Sequence, residues 1–153
     1  MNTQRYVSDL STDEKVLMAM VRAAEIFKRK HAAIFRNYGL SFPQYNVLRV
    51  LDASRKGRNK ISEVSRIMLV PGANMTGLIK RLEKNGFIIR KSDPKDERVK
   101  MLEITPKGKR TLRNIEPEKD RSTEMMLKGF SREDIGGLLA SLKKLIKNNL
   151  LSS

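Results

Sequence analysis

Residues 71–104 read PGANMTGLIKRLEKNGFIIRKSDPKDERVKMLEI, and the spacing of their apolar residues changes halfway along. Up to Asn85-Gly86 the apolar residues recur at three- and four-residue steps, which predicts a helix with one buried face and a glycine at its end. Beyond that glycine, two short β-rich runs, 87–91 and 99–104, flank a polar loop that contains Pro94, which predicts a hairpin.

The residues before this stretch add a short helix and a tight turn. A basic run, residues 54–60, is interpreted as a loop. A short helix is predicted from about Ser62, with an inward face made of Val64, Ile67 and Met68. Val70-Pro71-Gly72 ends that helix and leads into the next. A short helix, a tight turn, a second helix and a hairpin follow the plan of a winged helix-turn-helix.

Longer helices are predicted on both sides of this region. One runs from Ser11 or Thr12 to Gly39, and a second begins with the capping-box spacing of Ser41 and Gln44. A third begins at Thr105-Pro106, and Pro117 is expected to kink or interrupt it. A final helix begins at Ser131. The predicted fold class is therefore mainly α with a small β-wing, a winged helix-turn-helix with N- and C-terminal dimerisation helices.

The charge of the chain is strongly basic and unevenly distributed. Lys and Arg number 32 against 17 Asp and Glu, a net charge of +15. Residues 54–115 hold 17 of the basic and 6 of the acidic residues, so +11 of the excess lies in this segment. Such a local basic surface favours a polyanionic partner, nucleic acid first and an anionic membrane surface second, over a protein that is merely basic.

The outward face of the helix before the hairpin carries side chains suited to reading DNA. Small residues at its start let the backbone approach a duplex, Asn and Thr can hydrogen-bond to bases, and Lys and Arg can reach phosphates or guanine. An ordinary solvated basic helix is the alternative. The predicted recognition residues are Gly72, Ala73, Asn74, Thr76, Gly77, Lys80, Arg81 and Lys84.

The hairpin loop is predicted to protrude as a basic tip beside that helix. An arginine at such a tip can enter a narrow minor groove, and we expect Asp96 to hold the Arg98 guanidinium in position. A loop whose mixed charges only keep the hairpin edge soluble is the alternative. The predicted wing residues are Lys91, Lys95, Asp96, Arg98 and Lys100.

Residues 74–87, NMTGLIKRLEKNGF, resemble the recognition helix of the MarR family of transcriptional regulators. The following hairpin resembles the wing of that family, with its Asp-x-Arg signature on Asp96 and Arg98. The family's Leu-Thr-x-x-Gly ending falls on Ile104-Thr105 through Gly108. Pro71-Gly72 departs from the pattern, because many relatives place Ser or Asp there to cap the recognition helix.

The resemblance implies a homodimer that binds a pseudo-palindromic operator in double-stranded DNA. It also implies release or retuning by a small aromatic or phenolic ligand near the junction of the dimer and DNA-binding regions. One branch of the family senses organic hydroperoxides through a cysteine, and the absence of cysteine excludes that mechanism here. We therefore expect a ligand-responsive, sequence-specific regulator of transcription that acts as a repressor.

The first and last helices support a dimer independently of the resemblance. Each carries an apolar stripe near a chain end, which a partner subunit would bury, although packing onto their own domain is the alternative. We assign residues 1–40 and 107–153 to dimerisation and residues 41–106 to DNA binding within one intertwined domain. The predicted interface residues are Ile135, Leu138, Leu142, Leu145 and Ile146.

Aromatic residues gather at the corner between the first and second helices. This corner is a candidate effector pocket, and a packed aromatic core explains the pattern equally well. The residues concerned are His31, Phe35, Tyr38, Phe42 and Tyr45. The single histidine is interpreted as a core residue ahead of a ligand contact. A lone histidine without clustered carboxylates or thiolates makes a poor metal site, so neither metal nor cofactor is expected.

Other classes of protein are disfavoured by what the sequence lacks. The chain has no cysteine, and it shows no catalytic triad, phosphate-cradling glycine loop or paired carboxylates that would indicate an enzyme. It has no apolar run of membrane-spanning length and no signal-peptide core, so a cytoplasmic location is expected. An RNA- or ribosome-associated basic module stays the alternative, although Phe87 is the one aromatic residue of the basic segment.

Overall fold

The computed structural model describes residues 9–150. Over these residues the chain forms six α-helices, a short 3-10 turn and three strands, which confirms the mainly α winged helix-turn-helix expected from the sequence. In chain order the elements are α1 (Thr12–Arg36), α2 (Phe42–Ala53), the 3-10 turn (Arg55–Gly57), β1 (Arg58–Lys60), α3 (Ile61–Met68), α4 (Gly72–Lys84), β2 (Ile88–Asp93), β3 (Asp96–Ile104), α5 (Pro106–Met126) and α6 (Arg132–Leu150).

Side chains close the first turns of the long helices, as the sequence predicts. At α2, the N–H of Ser41 donates to Gln44 Oε1 (2.8 Å) and the N–H of Gln44 donates to Ser41 Oγ (3.3 Å). Reciprocal bonds of the same kind start α1 and α6. At α5, Thr105 Oγ1 accepts from the N–H of Gly108 (3.1 Å). These bonds satisfy backbone donors that have no partner inside the helix.

The sheet has one strand more than the two predicted. Residues 54–60, expected to be a loop, contain the 3-10 turn and β1, which pairs antiparallel with β3 from Arg58↔Glu103 to Lys60↔Met101. Strand β1 reads Arg-Asn-Lys and has no apolar alternation, so its pairing comes from β3 and not from local preference. The strand order is β1-β3-β2.

The hairpin is longer and its loop shorter than predicted. Strands β2 and β3 pair from Ile88↔Ile104 to Asp93↔Asp96, with an irregularity between Ser92 and Asp93. Only Pro94 and Lys95 remain in the turn. The loop expected over residues 92–98 is therefore a two-residue turn at the end of a paired ribbon.

By its internal packing the chain divides into two units, Met1–Lys119 and Asp120–Ser153. In the first unit, the core is built around α2, whose Val47, Leu48 and Leu51 are fully buried. The end of α1 adds Ile34 and Phe35 to this core. Helices α3 and α4, the sheet and the start of α5 add further residues, among them Val64, Met75, Ile79, Leu82, Phe87, Ile88, Leu102, Ile104, Leu112 and Ile115.

Two local predictions need correction. Ile67 is 47% exposed, because α3 turns Val64 and Met68 towards the core and leaves Ile67 on its flank. Helix α5 continues through Pro117, so of the kink or interruption expected there the interruption is excluded. The proline removes the hydrogen bond to the carbonyl of Arg113, and both residues are exposed, so solvent can satisfy that carbonyl.

The second unit contains the end of α5 and all of α6. Gly129 has a φ of +92°, a left-handed conformation that favours glycine, in the turn between the two helices. Over its described residues α6 has no fully buried side chain.

Candidate nucleic-acid interface

Helix α4 is held by one apolar face. Met75, Ile79 and Leu82 are 0–3% exposed and join the core of the first unit. Because these residues repeat every three or four positions, the remaining positions of α4 point away from the core. Seven of the eight predicted recognition residues are exposed, and Gly77 is partly exposed.

The start of α4 presents backbone with few side chains around it. A Cβ added at Gly72 or at Gly77 would meet no atom within 4 Å, so both positions border open space. Pro71 precedes the helix and caps no backbone N–H with its side chain. Thr76 Oγ1 donates to the carbonyl of Gly72 at 3.4 Å, which leaves its oxygen lone pairs to accept from another group. A helix start of this kind attracts phosphate.

The end of the hairpin is stiffened by side-chain to backbone bonds. Asp93 Oδ1 accepts from the N–H of Lys95 at 2.9 Å, and Asp96 Oδ1 accepts from the N–H of Arg98 at 3.0 Å. The predicted role of Asp96 is therefore corrected: it holds the backbone of Arg98 and not its guanidinium. Lys95 and Arg98 are both exposed.

Two of the predicted wing lysines have partners within the sheet. Lys91 Nζ lies 3.2 Å from Glu103 Oε2, and Lys100 Nζ donates to Ser92 Oγ at 3.1 Å. The charge of Lys91 is thus partly balanced, whereas that of Lys100 is not. Among the five wing residues, Lys95, Arg98 and Lys100 supply the exposed positive charge that no carboxylate pairs within the described residues.

An ion pair that the sequence analysis missed ties the wing to α4. Arg90 Nε and Nη2 donate to the two carboxylate oxygens of Glu83 at 2.9 and 3.0 Å. The hydrogen bond from Arg90 lowers the pKa of Glu83 below its ordinary value, and the guanidinium charge adds to the effect. The partners are seven residues apart across a turn, and no local spacing rule connects them. A two-pronged bond of this geometry fixes orientation as well as distance.

The aromatic corner between α1 and α2 is packed. The rings of Phe35 and Tyr45 stack with centroids 3.8 Å apart, and His31 and Phe42 lie edge-on or stacked around Phe35. Tyr38 donates its hydroxyl to the carbonyl of Asn114 at 3.2 Å. Two cavities, of about 340 and 640 Å³, open beside α2. Phe42 lines both, and the other four residues of the predicted pocket line neither.

His31 is a buried histidine with an unsatisfied nitrogen. Its side chain is 3% exposed, and Nε2 has no hydrogen-bond partner among the described residues. Burial lowers the pKa of His31 below its ordinary value, and the positive charge of Lys119 lowers it further. The neutral imidazole is therefore the form that this core accommodates.

The predicted dimer residues of α6 lie along one face. Leu138 and Ile146 are 49% and 48% exposed, while Ile135, Leu142 and Leu145 are partly exposed. Helix α1 carries its own exposed apolar residues, among them Val16, Leu17, Val21 and Ile26. Each of these two faces leaves apolar side chains in water.

No helix within residues 9–150 is long and apolar enough to cross a membrane.

Comparison with known proteins identifies a family. A model of the MarR family matches residues 38–99. The uncharacterized HTH-type transcriptional regulator YkoM of Bacillus subtilis (strain 168) is 34% identical over 110 residues, which span 71% of this chain and 70% of that protein.

Two solved structures from Streptomyces coelicolor share the fold. AbsC, a MarR family transcriptional regulator, matches with a TM-score of 0.84 at 20% identity over 97% of this chain and 99% of its own. Sco3205, a MarR family transcriptional regulator solved in complex with DNA, matches with a TM-score of 0.83 at 20% identity over 94% and 92%.

Proposed function

Because the chain belongs to the MarR family of winged helix-turn-helix transcriptional regulators, we propose that it binds a specific double-stranded DNA operator through α4 and the wing. The observation that carries the proposal is the outward face of α4, where exposed Asn, Thr, Lys and Arg side chains stand beside a backbone that borders open space. Major-groove recognition by a helix uses this combination.

In the proposed complex the start of α4 enters the major groove and the wing reaches the adjacent minor groove. Gly72, Ala73 and Gly77 let the backbone come close, and Asn74 and Thr76 contact base edges. Lys80, Arg81 and Lys84 contact phosphates or guanine. Arg98 stands at the minor groove, where a narrow groove concentrates negative potential. Lys95 and Lys100 add phosphate contacts.

We propose that the regulator is a homodimer. Two α4 helices must reach major grooves about 34 Å apart to read a pseudo-palindromic operator. The exposed apolar faces of α1 and α6 support a partner subunit as the occupant, since burial of such faces drives most subunit association. In this proposal residues 1–40 and 107–153 dimerise and residues 41–106 bind DNA.

We also propose that the dimer acts in the cytoplasm as a repressor that a small aromatic or phenolic ligand releases. A dimer that covers an operator excludes other proteins from it. The 340 Å³ cavity at the α1–α2 corner, next to the packed rings, is of the size that a small ligand occupies. Phe42 lines this cavity and could stack on such a ligand, which would then act on the joint between α1 and the DNA-binding elements.

The test is a gel-shift titration on a duplex that the purified protein selects from genomic fragments. Arg98→Ala is expected to weaken binding and to reduce the slope of log affinity against log salt by about one or less for each bound protomer, with the oligomeric state unchanged. Lys80→Ala with Arg81→Ala is expected to reduce the slope by about two for each bound protomer. Arg29→Ala on α1 is the matched control and should leave both affinity and slope unchanged.

The docking proposal is wrong if tight duplex binding survives both the wing variant and the α4 double variant. An RNA-binding module would show itself in the same assay, because single-stranded or folded RNA would then compete better than an equal amount of duplex DNA. The selected complex is also titrated with a panel of phenolic and lipophilic compounds, and its loss with one of them would identify the effector.

A further inference from the structure

A second basic surface lies at the other end of the sheet from the wing turn. A groove of about 300 Å³ opens between the 3-10 turn, the end of β3 and the first turns of α5. Four cations line it: Lys56, Lys109, Arg110 and Arg113. All four side chains are exposed, and none of them belongs to the predicted recognition or wing residues.

The positive charge of this groove is not balanced within the described part of the chain. No ion pair recorded for residues 9–150 engages any of the four cations. The one acidic residue that lines the groove, Glu103, already bonds to Lys91 at 3.2 Å. Like charges gathered in one concave site repel one another, and an anion bound between them relieves that repulsion.

The backbone fixes the position of the cations on both walls. Lys56 has a φ of +58° and Gly57 a φ of +67°, so the 3-10 turn bends sharply where the lysine stands. A Cβ added at Gly57 would lie 3.0 Å from Ile104 Cγ2 and 3.7 Å from Lys109 Nζ. The ammonium of Lys109 therefore lies against this turn, and the two walls of the groove meet at Gly57.

The groove is remote from the surface proposed to contact DNA. The groove lies beside Glu103 and Ile104, at the end of β3, whereas the wing turn lies between Asp93 and the start of β3. Along β3, at about 3.4 Å per residue, the two places are about 27 Å apart. Ile104 pairs with Ile88, just after the C-terminal end of α4, and the start of α4 is about 18 Å from that end. We therefore expect a duplex that contacts the wing turn and the start of α4 to leave this groove free.

We propose that this basic groove binds a small anion that carries two or more phosphate groups. Its volume suits a small ligand, and four cations on two walls match several phosphate charges better than one. Arg110 and Arg113 are one turn apart on α5 and can grip one phosphate, while Lys56 and Lys109 face a second. Such a ligand would regulate the protein from a site that the operator does not occupy.

The experiment is isothermal titration calorimetry of the full chain with inorganic tripolyphosphate at low salt. We expect saturable binding at one site per protomer, which Lys109→Gln with Arg113→Gln weakens at least ten-fold. The matched control, Arg29→Gln with Lys30→Gln, removes the same charge from α1 and should change affinity less than two-fold. Circular dichroism confirms folding of each variant, and Lys56→Gln with Arg110→Gln serves as a second groove variant with the same expected loss.

Three results would overturn the proposal. The first is absence of saturable binding to the unaltered protein. The second is equal weakening by the control, or weakening by Lys80→Gln with Arg81→Gln instead of the groove variants, because tripolyphosphate would then follow diffuse charge or the DNA surface. The third is a loss of duplex affinity in the groove variants as large as that of the α4 variant, which would make the groove a DNA contact.

Discussion

Gly108 is the residue at which α5 comes closest to the base of the hairpin. A Cβ added there would lie 2.6 Å from the carbonyl oxygen of Phe87 and 2.7 Å from Ile104 Cγ1. The first of these atoms is backbone and cannot swing aside. Gly108→Ala is therefore expected to lower the free energy of unfolding by about 1–3 kcal/mol, measured by urea denaturation.

The control for this variant is Gly136→Ala. Gly136 lies inside α6, and a Cβ added there would meet nothing within 4 Å, so alanine should hold or raise stability by up to about 1 kcal/mol. A Gly108→Ala variant as stable as the unaltered chain would contradict the tight contact between α5 and the carbonyl of Phe87.

His31 gives the stability of the protein a dependence on pH. The pKa of the folded-state imidazole lies below its ordinary value, so the unfolded chain binds the proton first as pH falls. The stability that the neutral imidazole contributes is fully present above the pKa that His31 has in the unfolded chain, and it is lost as pH falls below that pKa. We expect the free energy of unfolding to decline between pH 7.5 and pH 5.5, and His31→Phe to flatten that decline.

The measurement is urea unfolding across this range at a fixed protein concentration. Glu63, Glu83 and Asp134 also have lowered pKa values. The stability that these carboxylates contribute is lost only at lower pH, outside this window. An equal decline in the His31→Phe variant would assign the effect to other groups.

At the scale of elements, we expect the orientation of the wing to depend on the Glu83–Arg90 pair. Both side chains are largely solvated, so their removal should leave the global unfolding midpoint nearly unchanged. Glu83→Gln and Arg90→Gln are each expected to speed backbone hydrogen exchange in β2 and β3 and to weaken duplex binding. The double variant should change hydrogen exchange and duplex affinity little more than either single variant does, because each single substitution already removes the same ion pair. Additive losses would show that the two residues act separately.

Elements with local signals could be predicted from the sequence, and elements with distant causes could not. The capping residues Ser41 and Ser131, the end of α4 before Gly86 and the start of α5 at Pro106 are decided within four or five residues of chain. Strand β1 owes its conformation to β3, more than 40 residues later, and its own Arg-Asn-Lys carries no strand pattern.

The same distinction applies to the candidate site. The exposed face of α4 could be predicted because a helical period fixes which residues point outward. The partners of wing side chains could not, since Lys91 meets Glu103 only when β2 pairs with β3, and Arg90 meets Glu83 only through the turn that places β2 beside α4. The sequence predicts that Asp96 acts on Arg98, but whether its carboxylate bonds the backbone or the guanidinium depends on the turn, which is shorter than the sequence predicts.

At the scale of the whole molecule, dimerisation is the proposal on which operator reading depends. Leu138 is 49% exposed, so a charge there costs the isolated protomer little but would be buried at a subunit contact. Leu138→Glu is expected to raise the dimer dissociation constant at least ten-fold in sedimentation experiments. Lys143→Glu, also on α6, is the control. A dimer unaffected by Leu138→Glu would place the subunit contact elsewhere.

The composition of α4 has a consequence for how its DNA complex forms. The helix contains two glycines that border open space, and the proline before it offers no side chain to cap the first turn. Each glycine favours the helix by about 1 kcal/mol less than alanine would, so the first turns depend on neighbours for their order. When α4 binds a duplex, the DNA provides such neighbours. In the proposed complex we therefore expect operator binding to cost more conformational entropy than loose association with phosphates does.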